Sequence, residues 1–104
     1  MDDQARHFGE QYPEIFEGYS AMVAGCRKAG PLDPKTQQLI LIATKVVRQS
    51  ENGLKAQVAN ALAMGITPDE IRQAILLTMG DAGYSTTVAG LVWANAVLGG
   101  TPFR

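Results

Sequence analysis

The segment from Val88 to Leu98, "VAGLVWANAVL", limits the folds open to this chain more than any other stretch. Read as a helix, Val88, Leu91, Val92, Trp93, Val97 and Leu98 point in nearly every direction, and only Thr86, Thr87 and Asn95 are polar. A helix that is apolar all round has to be buried all round. It is too short to cross a bilayer, which takes about 20 residues. A chain of 104 residues builds one modest core and has difficulty enclosing such a helix alone. Self-association would supply the missing cover.

The rest of the sequence also reads as helix. Ile15, Tyr19, Met22, Val23 and Cys26 fall at i, i+4, i+7, i+8 and i+11, one face of a helix over Pro13–Ala29. This face is the expected core side, which makes Cys26 an inert core thiol. Asp33-Pro34 opens a second helix, with Asp as N-cap and Pro at the first helical position, running to Ser50. Leu39, Ile42, Ala43, Val46 and Val47 form its apolar side; Gln38, Lys45, Arg48 and Gln49 form its polar side. A third helix, Asn52–Met64, stops at Gly65. Thr67-Pro68-Asp69-Glu70 is a capping box with Pro in the first turn, and it starts a fourth helix to Met79. "GDAG" breaks or kinks that helix, and the last runs from Ser85 to the Gly99-Gly100 stop. No segment alternates as a strand does. The short connections predict antiparallel packing.

Composition removes several functions. The formal net charge is −1 and the pI about 5.7, so a basic nucleic-acid face is not expected. Charged residues make up 18% of the chain, against a usual share of about 25%. With one cysteine, no intramolecular disulfide or cysteine-based metal cluster can form. Neither a metal nor another cofactor is expected. "MDDQARHFGEQYPE" has no basic and apolar leader pattern, which gives a cytoplasmic protein as the expectation. His7 lies near a terminus expected to be mobile.

The order "LDPKTQQLILIATKVV", a helix junction, then "AQVANALAMGITPDEIRQAILLTMGDAGY" resembles the carboxymuconolactone decarboxylase and alkylhydroperoxidase-D-like superfamily. The match is strongest over 32–100 within a single domain spanning 1–104. The resemblance implies an all-α helical bundle of about five to six helices around an antiparallel hairpin, assembled as a trimer or a hexamer of paired subunits. Members with thiol chemistry carry Cys-x-x-Cys-x-x-x-His at the helix junction and a Glu one helix earlier. Laid on this chain, the Glu position is Gln38, the two Cys positions are Ser50 and Gly53, and the His position is Gln57. Decarboxylase-type members keep a His that is also missing here.

Disulfide exchange needs a thiolate attacker and a second sulfur. Serine and glycine supply neither. The two glutamines hydrogen-bond but carry no proton through an acid–base cycle near pH 7. Ser50 reads most simply as a helix cap, and Gln57 equally as a pocket donor or an ordinary polar residue. Glu51 and Tyr84 are the surviving ionisable groups near the expected site; the simpler readings are a first-turn acid and a packing aromatic. Three classes follow. The first is a family member without thiol redox chemistry that binds a small molecule in a degenerate pocket of Gln38, Ser50, Gly53 and Gln57. The second is a decarboxylase- or isomerase-type enzyme using Glu51 and Tyr84. The third is an oligomeric structural or interaction protein with no small-molecule site.

Overall fold

The computed structural model describes residues 3–99 and is helical throughout, with no strand among the described residues. The helices are α1 (Asp3–Gln11), α2 (Pro13–Lys28), α3 (Pro34–Val47), α4 (Glu51–Ala63), α5 (Pro68–Leu76), the one-turn α6 (Met79–Ala82) and α7 (Tyr84–Leu98). The fold is all-α, as the periodicity predicts. Gly100, half of the expected stop, lies outside the described residues.

The chain divides into two compact units, 1–34 and 35–104. The first holds α1 and α2. Helix α1 was not foreseen: it is polar, and its helical turn is supported by an exposed Arg6–Asp3 pair at 3.0 Å. His7 therefore sits in a helix rather than a loose terminus. The two helices meet where the Phe16 ring covers Gly9, 3.1 Å from the place a Cβ would occupy. No residue of α1 or α2 is buried. Cys26 is exposed, not a core thiol. Helical periodicity defines a face but says nothing of what covers it.

The second unit holds the core. Ile42 and Val46 of α3 meet Leu54, Val58 and Ala61 of α4, Ile71 and Ile75 of α5, and Leu91 and Ala94 of α7. Full burial of each large side chain contributes about 1.5–3 kcal/mol. Helices α3 and α4 run antiparallel: Gln38 near the start of α3 bonds to Gln57 within α4, while Lys45 near its end lies beside Gly53. Helix α3 stops at Val47, three residues before the predicted end, because Gln49 turns left-handed at φ 55°. Its buried row is Gln38, Ile42 and Val46, so Gln38 belongs to the core side and Val47 is exposed. Helix α4 ends as predicted at Gly65, with φ 84°.

Both halves of the Thr67 capping box form. The Thr67 hydroxyl accepts from the Glu70 N–H at 3.2 Å, and the Glu70 carboxylate accepts from the Thr67 N–H at 3.0 Å. Lys35 of α3 also pairs with Glu70. These contacts, Lys35 first and the Thr67 backbone N–H second, push the Glu70 carboxyl down to about 2. A carboxyl lowered on folding adds stability above its ordinary pKa, and that stability disappears as pH falls through the folded value. Urea melts of the wild type should therefore weaken as pH drops from 4.5 toward 2, and Glu70→Gln should flatten that slope. An unchanged slope in the variant would show that Glu70 is not coupled to folding.

The fourth helix ends at Leu76, three residues before the predicted Met79 and ahead of "GDAG", whose Gly80, Asp81 and Ala82 lie in α6. After α6, Gly83 turns at φ 91° into α7. The buried side of α7 consists of Thr87, Gly90, Leu91, Ala94 and Asn95. Its larger members Val88, Trp93, Val97 and Leu98 are partly covered, and Val92 is exposed. The chain thus leaves its most apolar helix incompletely enclosed. The polar atoms on the buried side find partners. Thr78 Oγ1 donates to the Ile75 carbonyl at 2.7 Å, which leaves the Thr87 hydroxyl to donate to Thr78 Oγ1 at 3.0 Å. Asn95 Oδ1 accepts from Arg72 Nε at 3.1 Å.

Candidate functional site

The four positions singled out in the sequence lie along the α3–α4 hairpin. Gln38 is 1% exposed. Its Nε2 donates one hydrogen to Gln57 Oε1 at 2.7 Å and the other to the Gln57 backbone carbonyl at 2.9 Å. Each such neutral bond is worth about 0.5–1.5 kcal/mol net. The two amides thus form a bridge between the helices at the places where the resemblance puts Glu and His.

Ser50 and Gly53 form the other end. Ser50 takes the N-cap position of α4 at φ −95° and ψ 94°, but its side chain makes no cap hydrogen bond. The cap reading is right for the backbone and wrong for the hydroxyl. A Cβ built on Gly53 would stand 2.6 Å from Ser50 Oγ and 3.1 Å from Lys45 Cδ. The space for a side chain at 53 is already taken by Ser50 and the stem of Lys45. Sequence reasoning put Lys45 on a polar helix face and missed that its stem folds against Gly53.

The two ionisable candidates are not brought together. Glu51 accepts from Lys55 Nζ at 2.8 Å, one helical turn on. Tyr84 is 73% exposed at the start of α7. No hydrogen bond joins Glu51 to Tyr84 among the described residues. Nor do the described residues contain a cluster of three metal-ligating side chains. No described helix is long and apolar enough to cross a membrane.

An open groove of about 710 Å³ runs elsewhere on the second unit. Leu39, Ile40, Ala43 and Val47 of α3 face Ala74 of α5 and Leu77 across it. Arg48, Glu70 and Asp81 supply its charges. None of Gln38, Ser50, Gly53 and Gln57 lines it. This groove is not visible in the sequence, because its walls come from helices more than 20 residues apart. The only available hint was that α3 carries apolar residues on more than one face.

Residues 13–96 match the model of the carboxymuconolactone decarboxylase family. The chain is also 34% identical over 53 residues to an uncharacterized protein of Haemophilus influenzae, a stretch covering 51% of this chain and 47% of that one. The chain spans about half the length of that curated relative. The helix order, the hairpin and the extent of the family match lead to one assignment: the chain belongs to the carboxymuconolactone decarboxylase family.

Proposed function

We propose that the chain is a non-redox member of its family that binds a small apolar molecule and works as a homo-oligomer. The observation that carries this reading is the Gln38–Gln57 bridge. Two neutral amides, bonded to each other, occupy the positions where the resemblance implies an acid and a base. Ser50 and Gly53 complete a hairpin joint with no thiol and no group that moves a proton near pH 7. Gln38 spends both amide hydrogens on Gln57, which leaves its amide nitrogen no hydrogen for a guest. The groove on α3 is the better seat for a ligand. Its volume and apolar walls fall in the range of small-molecule sites, and a few polar groups stand at hand to orient a guest. The incomplete cover of α7 and the exposed stripe of α2 support self-association.

The decarboxylase- or isomerase-type reading rests on Glu51 and Tyr84, which form no acid–base pair. The purely structural reading competes only through the exposed apolar surface. Titration with 1-anilinonaphthalene-8-sulfonate separates these readings. Saturable binding is expected, weakened at least ~10-fold by Ala43→Arg in the groove wall, which corresponds to about 1.4 kcal/mol. Binding unaffected by Ala43→Arg would remove the groove as the ligand seat.

Thiol chemistry has its own test. Cys26 is the sole cysteine and has no resolving partner in the chain. Hydroperoxide consumption with a dithiol donor should match Cys26→Ser within error. Turnover lost in that variant would contradict the non-redox reading.

A further inference from the structure

The groove along α3 carries its charges unevenly. Every residue lining it belongs to the second unit, so its geometry is set within that unit. Lys35 pairs with Glu70, which joins the start of α3 to the start of α5. Further along, Val46 and Ile75 both lie against the place of a Cβ on Gly90, at 3.1 and 3.5 Å. The two helices therefore run side by side in the same direction. Arg48, just past the end of α3, and Asp81, in α6, mark the far end of the groove. From Thr36 to Arg48 the α3 wall is about 18 Å long. Leu39, Ile40, Ala43, Ala74 and Leu77 line the stretch between.

The two ends differ in what they offer a guest. At the start, the Glu70 carboxylate is engaged by Lys35 and the Thr67 N–H, and it repels an acidic group. At the far end, neither Arg48 nor Asp81 makes an ion pair among the described residues. Arg48 is the one cation among the described residues that line the groove. The lining hydroxyls toward that end have no hydrogen to give. Thr44 Oγ1 donates to the Leu41 carbonyl at 2.8 Å, and Thr78 Oγ1 donates to the Ile75 carbonyl at 2.7 Å. The guanidinium is thus the strong donor there, and its planar fork matches a carboxylate. Arg48 is exposed, so a head group can pair with it while staying hydrated, and no charge has to be buried. Asp81 limits the charge accepted. Together with Arg48 it brings this end to zero, so one added negative charge is tolerated, whereas the charge of about −1.5 to −2 on a phosphate monoester is opposed.

We infer that the groove takes a monocarboxylate with an apolar body, its acid head on Arg48 and its body laid along α3 toward Thr36. The inference rests on the groove being the ligand seat, and it adds which chemistry is bound and which way round. An apolar wall alone favours a neutral guest over a charged one, because a carboxylate is costly to take out of water. A contribution from Arg48 to the acid, absent for the matching alcohol, is therefore the signature of this arrangement.

Displacement of the neutral dye Nile red from the full-length chain at pH 7 measures it, with decanoate set against 1-decanol and 2-naphthoate against 2-naphthol. Arg48→Gln should weaken the acid about 5-fold, the upper end for an exposed ion pair, and leave the alcohol of the same body unchanged. Asp81→Asn should strengthen the acid, and the effect of Arg48→Gln should shrink as salt is added. Either acid showing this dependence supports the inference, and which one shows it distinguishes a chain from a ring. Arg48→Gln that weakens acid and alcohol equally, or neither, would overturn the placement of the head and leave the groove as an apolar seat. Tighter binding of decyl phosphate than of decanoate would overturn the limit to one charge. Displacement of the dye that Ala43→Arg does not alter would remove the groove itself, and the inference with it.

Discussion

Gly90→Leu is expected to lower the stability of the chain by about 3 kcal/mol, read as a fall in the urea midpoint at unchanged m. Gly90 seats α7 closely against Val46 and Ile75. A single Cβ there would stand 3.1 Å from both Cγ atoms of Val46 and 3.5 Å from Ile75 Cγ2. Val46 is fully buried and β-branched, so it has few ways to turn aside. A leucine adds three further carbons to a space that does not admit the first. It recovers about 1 kcal/mol of helix propensity on replacing glycine, far less than the overpacking cost. Gly90→Ala lies near break-even, since the propensity gain and a small shift of Val46 oppose each other. A midpoint unchanged by leucine would mean that α7 is not seated on α3 through this glycine.

Gln38→Glu should cost about 3 kcal/mol at pH 7, the penalty of a buried charge set against two acceptor oxygens. The substitution changes almost no volume, so the effect isolates electrostatics. In the wild type two amide hydrogens point at two oxygens of Gln57. A carboxylate would put oxygen against oxygen in a site that is 1% exposed. Burial and those acceptors raise the pKa of the new carboxyl, and below its unfolded pKa the neutral acid keeps one donor hydrogen of the amide's two, so the cost shrinks to one neutral hydrogen bond, about 0.5–1.5 kcal/mol. The electrostatic penalty grows as pH rises from the unfolded toward the folded value, so the variant should recover most of the loss in acid. Adding Gln57→His should return part of the loss, because an imidazolium donates where the Gln57 amide oxygen accepted. The double-mutant cycle then gives a favourable coupling energy. Equal stability of Gln38→Glu and wild type at pH 7 would place residue 38 in water rather than in the core.

The features that could be read from the sequence share a physical property: they are set by neighbours in the chain. The Thr67 capping box and the Gly65 stop need only a few adjacent residues, and both formed where spacing put them. The hairpin order followed from short connections. Errors arose where a distant surface decides. Residue type places Gln38 on the polar side of α3, although it stands in the buried row with Ile42 and Val46, because an amide looks solvated until its partner 19 residues later is known. The early end of α3 depends on a left-handed Gln49, and glutamine gives no warning of that conformation. Helix α1 is polar and buries no residue, so it shows no apolar periodicity by which to recognise it. Cys26 shows the same limit in reverse: an apolar row signals a wish for cover, not the presence of it.

The candidate site was legible as positions and not as contacts. Gln38, Ser50, Gly53 and Gln57 were located by spacing against the family pattern. That Gln38 closes on Gln57, and that Ser50 and Lys45 fill the space over Gly53, required three dimensions. The groove along α3 was invisible for the same reason as the burial of Gln38.

The amide bridge also determines how the joint between α3 and α4 responds to its surroundings. An acid facing a base changes charge with every passage between neutral and acidic conditions, and a pair of sulfurs changes covalent state with its redox environment. Two carboxamides do neither. The hairpin of this chain should therefore keep one geometry from mild acid to mild alkali and from reducing to oxidising surroundings. The Gln38–Gln57 bridge itself offers no group through which acidity or oxidants could alter it.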